Sequence, residues 1–193
     1  MSQMTLFAIG IVTYLVGSIP VAYLASRVQG RNVLDVGTGN PGAANTFRKI
    51  GRGTGVIVFL WDFGKAVIPM VLMQEASESS DIHVFFVGAA AMAGHCYPIF
   101  FRFRGGMGLA TAFGIAVGLF PVLALIHGAA MLLILPKVRD VVITATIGYI
   151  SFCAFGLWAY SDSWSLIILV CMLPVLAAVK NHFTKESIAP QEQ

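Results

Sequence analysis

A chain of 193 residues in which 58% are hydrophobic and only 11% charged, with a mean hydropathy of +0.83, lies far from soluble proteins, where roughly a quarter of residues carry charge. This composition excludes a soluble globular domain, and the apolar runs follow one another too closely for a separate soluble module, so one integral membrane domain over 1–193 is expected. The net charge of +3 says less than where the charges fall.

The first apolar run, Met4 to about Leu24, lacks a basic leader and is long enough to cross a bilayer, so it reads as the first helix rather than a signal peptide. Later runs cover about Val56 to Met73, Ile82 to Phe101, Leu109 to Leu119, Val122 to Leu135, Val141 to Tyr160 and Trp164 to Val179. The predicted fold is an all-α polytopic bundle of about seven transmembrane helices. Phe120-Pro121 is read as a turn because it keeps Arg102, Arg104, Lys137 and Arg139 on one side, as the positive-inside bias requires. Every Lys and Arg except Lys65, which lies within the second run, then falls on one side, while Glu75, Glu78, Asp81 and Asp162 fall on the other. The expected orientation has the N-terminus outside and the C-terminus in the cytoplasm. The basic face would lie against anionic lipid headgroups and attract anionic substrates. No nucleic-acid motif is present. Cys96, Cys153 and Cys171 are scattered in or beside apolar runs and are expected to serve packing or lipid contact, with metal or disulfide chemistry as the second reading.

Three segments break the apolar pattern. Gly37 to Gly55 is rich in glycine and carries Thr38, Asn40, Asn45 and Arg48. Successive glycine N–H groups can converge on an anion, asparagine adds neutral donors, and the arginine fork suits phosphate oxygens. The same segment also reads as an ordinary flexible loop. In Asp62-Phe-Gly-Lys65 the two charges share a helix face; they are either a clasp between helices or part of a substrate site. In the third, His95, Pro98, Arg102 and Arg104 precede the turn Gly105-Gly106-Met107-Gly108, which leads into a helix whose N-terminus favours a phosphate. His95 is either a hydrogen-bonded packing residue or part of that site. His83 and His127 have no second ligand at metal spacing. Gly17-Ser-Ile-Pro20 and Gly88 to Gly94 read as small-residue faces for close helix contact, the former in a kinked span.

Taken in order, Gly17-Ser-Ile-Pro20 with Tyr23, Thr38-Gly-Asn-Pro-Gly-Ala-Ala-Asn45 with Arg48 and Gly51, Asp62-Phe-Gly-Lys65 with Pro69, and Gly94-His95 to Thr111 resemble the successive motifs of one family. It is the bacterial acyl-phosphate-dependent glycerol-3-phosphate acyltransferases. The resemblance implies a seven-helix inner-membrane enzyme with its active site at the cytoplasmic face. Such an enzyme moves a fatty acyl group from acyl phosphate to the 1-hydroxyl of glycerol 3-phosphate, giving lysophosphatidic acid for phospholipid synthesis, with no metal or organic cofactor. Asn40, Asn45, Arg48, Lys65 and the Gly105, Gly106, Gly108 turn would then bind phosphate, and Thr38 with His95 would position the acceptor.

The chain departs from the family pattern at several positions. Thr38 stands for a serine, Ala44 for a threonine and Ala66 for a glycine, and Met107 replaces the lysine of a Gly-Gly-Lys-Gly turn. Losing a charge-assisted phosphate contact costs about 1.5–3 kcal/mol unless another group replaces it, and Arg102 and Arg104 are the nearest candidates. Thr144 and Thr146, and Asn181 and Glu186, are loose matches to the later motifs. The second reading of the chain is a diverged membrane protein that binds lipid or acyl phosphate without turnover, or uses a different acceptor.

Overall fold

The computed structural model describes residues 1–76, 79–168 and 170–175, and among them the regular structure is entirely helical. The helices are α1 (Gln3–Gly17), α2 (Val21–Val28), α3 (Ala43–Lys49), α4 (Arg52–Glu75), α5 (Asp81–Cys96), α6 (Leu109–Leu119), α7 (Pro121–Val138) and α8 (Val141–Ala159), followed by helical residues 164–168 and 170–175. Five stretches are long and apolar enough to cross a membrane: Gln3–Val28, Arg52–Glu75, Asp81–Phe101, Pro121–Val138 and Val141–Ala159.

The first apolar run is broken into two helices. Ser18 Oγ donates back to Tyr14 O at 2.8 Å, Pro20 has no N–H to continue the ladder, and Val21 N turns to Ile19 O. The carbonyl of Gly17, whose helical partner would have been Val21 N, is thereby released from the ladder. The glycine-rich segment is also more ordered than a flexible loop: it contains α3, and Arg31 Nη1 caps the end of that helix by donating to Lys49 O at 2.7 Å. The expected break at Phe120-Pro121 is present, with α6 ending at Leu119 and proline occupying the first position of α7, where its missing N–H costs nothing.

Glycines set the helix spacing. A Cβ on Gly94 would strike Tyr14 O and come within 2.9 Å of Gly17 Cα, so α1 and α5 pack backbone to backbone. Gly10 meets Phe86 and Gly17 meets Ala91 and Gly94, so these two helices run parallel. Gly114 lies on Phe63 and Ala66 and Gly118 on Met70, which makes α4 and α6 parallel as well. In α7 and α8, by contrast, Gly148 packs on Met131 and Gly156 on Leu123, an antiparallel pair. Gly128 on Phe113 turns α7 back along α6, bringing Lys137 and Arg139 to the end of the bundle that carries Arg102 and Arg104. Met70, Val87, Ala91, Ile115 and Ile167 fill the core between these helices.

Of the cysteines, Cys96 is buried, in keeping with a packing role. Cys153 and Cys171 instead form a disulfide that ties α8 to the following helical stretch. This corrects the packing expectation for that pair: their partnership depends on the hairpin of the two helices, which sequence spacing alone does not disclose.

Replacing Gly94 by valine puts a branched side chain where there is no room for a methyl group. The expected loss is about 1–3 kcal/mol or more from overpacking, seen as a lowered thermal midpoint of the detergent-solubilised protein, while Gly53→Ala, where nothing lies within 4 Å, leaves the midpoint nearly unchanged.

Candidate functional site

At the end of the bundle where α1 breaks, α4, α5 and the loop after α5 enclose a narrow cleft. Its walls include Gly17, Pro20, Pro41, Asp62, Lys65, His95, Pro98, Phe101, Arg104, Gly105 and Gly106. The space within it is about 20 Å³, room for about one water molecule, so only a small group can penetrate to its floor.

The floor is a cluster of buried polar side chains. Lys65 Nζ donates to Asp62 Oδ1 at 2.7 Å and to the released Gly17 carbonyl at 3.0 Å, and it lies 3.0 Å from His95 Nδ1. Asp62 Oδ1 is also 3.2 Å from His95 Nδ1. An ammonium has three donors and no acceptor, so these contacts account for all three Lys65 protons. His95 Nδ1 lies within reach of both the ammonium and the carboxylate, and Nε2 is the ring nitrogen on the other side. That nitrogen faces Gly106, on which a Cβ would lie 2.5 Å from it.

The glycine turn is shaped by the end of α5. A Cβ on Gly105 would collide with the carbonyls of His95 and Cys96, and Gly106 N donates to His95 O at 3.3 Å. Gly108, at φ +77°, is the N-cap of α6 in a left-handed conformation that favours glycine. The turn therefore lies flat over His95 and delivers the N-terminus of α6 beside it.

Lys65, His95, Arg104, Gly105 and Gly106 thus come together as wall residues of one cleft. Asp62, which the sequence left open between a helix clasp and a place in the site, is a wall residue too, as its spacing to Lys65 suggested. The Gly17 carbonyl could not have been anticipated, because its availability depends on how the helix break is hydrogen-bonded.

Other candidates fall elsewhere. Asn45 is buried and its amide is used by the backbone: Oδ1 accepts from Thr38 N at 3.1 Å, while Nδ2 donates to Val33 O at 3.2 Å and Val36 O at 3.0 Å. It braces the glycine-rich segment. Thr38 is exposed and its Oγ1 accepts from Asn40 N at 3.4 Å. Asn40 is half-buried next to Pro41 of the cleft wall, and Arg48 is exposed on α3. Arg102 is exposed and is not a wall residue. Thr144 and Thr146 donate to Asp140 O and Val142 O within α8. Asn181 and Glu186 lie outside the described residues.

Asp62→Ala would leave the Lys65 ammonium buried without its carboxylate, and a loss of about 3–5 kcal/mol is expected. Thermal unfolding in detergent should show a large drop for Asp62→Ala and substantial recovery when Lys65→Met is added. Equal midpoints for Asp62→Ala and the parent chain would show that the clasp contributes nothing to stability.

Comparison with known proteins agrees with this architecture. The family model described as glycerol-3-phosphate acyltransferase matches residues 7–186. A glycerol-3-phosphate acyltransferase of Aquifex aeolicus is 39% identical over 115 residues, 60% of either chain, so the aligned stretch spans less than two thirds of that relative. One of Thermosipho melanesiensis is 29% identical over 168 residues, covering 87% of this chain and 82% of the relative. The crystal structure of PlsY, an integral membrane glycerol 3-phosphate acyltransferase, in its glycerol 3-phosphate form superimposes with a TM-score of 0.81 at 31% identity, covering 95% of this chain and 92% of that one. Its lysophosphatidic acid form gives 0.79 at 30% identity. With the motifs in order along the chain and the family match running through nearly all of it, this protein belongs to the glycerol-3-phosphate acyltransferase family.

Proposed function

We propose that this protein transfers a fatty acyl group from acyl phosphate to the 1-hydroxyl of glycerol 3-phosphate, forming lysophosphatidic acid. The observation that carries the proposal is the convergence of the Lys65, Asp62 and His95 cluster with Arg104 and the Gly105–Gly106 turn on one cleft. In the reaction the 1-hydroxyl oxygen forms an ester bond to the acyl carbon, the bond from that carbon to the phosphate oxygen breaks, and the displaced phosphate leaves with the hydroxyl proton. The anhydride is already activated, so the protein's work is to position two anions and stabilise charge.

The geometry divides that work. Arg104 on the cleft wall supplies the cationic fork that Met107 does not. On this reading the His95 ring beside Gly106 and the N-terminal amides of α6 approach the phosphate or the acceptor oxygen. Lys65 is committed to its clasp and acts by holding His95 in place and keeping the cleft electropositive. Thr38, Asn40 and Arg48 are not wall residues but belong to the 37–55 segment that contributes Pro41, and on this reading they meet the substrate at the mouth. The small volume at the cleft floor suits a bound end group, with the rest of each substrate at the mouth and the acyl chain toward the lipid.

The site belongs, on this reading, to the cytoplasmic face of the bacterial inner membrane, with the N-terminus outside and the whole chain acting as one domain. Support comes from the gathering of Lys and Arg at the end of the bundle that holds the cleft. Cysteine probes at Arg52 and Lys137 are expected to react with impermeant reagent only from the cytoplasmic side. Labelling of either from outside in intact cells would reverse the orientation.

Purified protein supplied with acyl phosphate and glycerol 3-phosphate should release lysophosphatidic acid and inorganic phosphate. Arg104→Ala should raise the KM for glycerol 3-phosphate about tenfold or more, equivalent to about 1.4 kcal/mol, and adding Met107→Lys should restore part of the loss. Binding of either substrate without turnover would instead support the non-catalytic reading, for which Met107 is the specific departure.

A further inference from the structure

Beside the cleft, two elements present exposed apolar side chains interleaved with arginines. On α2, Leu24 is 50% and Val28 89% exposed, with Arg27 between them. On the loop after α5, Phe100 is 60% and Phe103 56% exposed, flanking Arg102. The two elements are joined: the Tyr23 and Phe101 rings lie 4.6 Å apart, and the Arg27 guanidinium sits 5.8 Å from the Tyr23 ring centroid.

Depth places this surface at the edge of the hydrocarbon. The apolar stretch Gln3–Val28 has 26 residues and is broken between Gly17 and Val21, so it spans less than the ~39 Å of one straight helix, against a hydrocarbon core of about 30 Å. Arg27 and Arg31 at its end mark the headgroup layer, where charged groups reach water. The stretch Asp81–Phe101 ends at the same surface. Arg102 and Phe103 both adopt positive φ, 51° and 59°, a conformation uncommon for residues with side chains. It keeps the loop tightly turned over the end of α5, where Phe103 N donates to Pro98 O at 2.9 Å. Arg31 differs from Arg27 and Arg102 in that its guanidinium caps α3.

We propose that this α2–loop surface binds anionic phospholipid at the membrane interface, with Arg27 and Arg102 meeting the headgroups and Val28, Phe100 and Phe103 entering the acyl boundary. The argument rests on charge complementarity and depth: apolar and aromatic side chains alternating with arginine at headgroup level match an anionic lipid surface. Because Phe101 and Arg104 of the same loop line the cleft, lipid held there steadies the cleft mouth. Arg102 then serves the bilayer and not the substrate.

The test is native mass spectrometry of the full detergent-solubilised chain titrated with phosphatidylglycerol or phosphatidylcholine, independent of turnover. The parent protein should retain phosphatidylglycerol in preference to phosphatidylcholine by about thirtyfold, in keeping with roughly 1 kcal/mol for each of the two arginines near an anionic surface. Excess inorganic phosphate should not displace the lipid. Arg27→Gln with Arg102→Asn, the latter chosen because asparagine tolerates the left-handed backbone, should abolish the preference without lowering the thermal midpoint. Phe100→Gln, which leaves both arginines in place, should weaken retention of both lipids. A double variant that keeps the full preference, a parent protein with none, or lipid displaced by phosphate would each overturn the proposal.

Discussion

A lysine and an aspartate set in an apolar helical bundle are the constraint around which the site is organised. Neither Asp62 nor Lys65 could be buried alone at tolerable cost, and even together they need their remaining hydrogen-bonding capacity used. The structure meets this by breaking the first span. Ser18 and Pro20 interrupt the ladder and free the Gly17 carbonyl, which becomes the third partner of the ammonium. A helix break that looks like a defect in α1 is thus what allows a charge to be held in α4. His95 closes the cluster from α5, so three helices are tied at one point.

That tie demands close helix approach, which explains the placement of the small residues. Gly17 and Gly94 allow α1 and α5 to touch through their backbones within a turn of the cluster, and Gly105 and Gly106 allow the next loop to lie directly on His95. A cluster of short, directional contacts tolerates little displacement, so packing precision and electrostatics are the same requirement here. The glycine turn has a structural reason independent of any phosphate: side chains at 105 and 106 would strike the backbone or ring of His95.

Much of this was legible in the sequence because it is local. The apolar runs gave the helices, the proline at 121 gave the break between α6 and α7, the small-residue faces gave the tight contacts, and the spacing of Asp62 and Lys65 gave a shared helix face. What was not legible depends on which backbone groups a polar side chain finds after folding. Asn45 resembles a ligand in a glycine-rich motif, yet its amide is spent bracing Val33, Val36 and Thr38. Arg102 and Arg104 are alike in sequence, but the turned backbone at 102 and 103 leaves one outside and the other on the cleft wall. The Cys153–Cys171 link likewise requires knowing which helices are neighbours.

The substitution of Met107 for a lysine is then best understood through the division between those arginines. A lysine in the turn would approach the cleft from the N-terminus of α6, whereas Arg104 approaches from the loop that closes over α5. A guanidinium there can grip a phosphate in two directions, which a single ammonium cannot. It also carries a constraint that lysine in the turn would not, because its position depends on a loop stabilised by Phe101 against Tyr23, with Phe100 and Phe103 exposed on its other side. If Arg104 takes the lysine's place, as proposed above, recognition of substrate charge is coupled to the packing of α2 against the loop after α5. The neutral thioether at 107 is therefore compatible with an anion site, provided that the rim of α2 and the loop after α5 hold Arg104 in place.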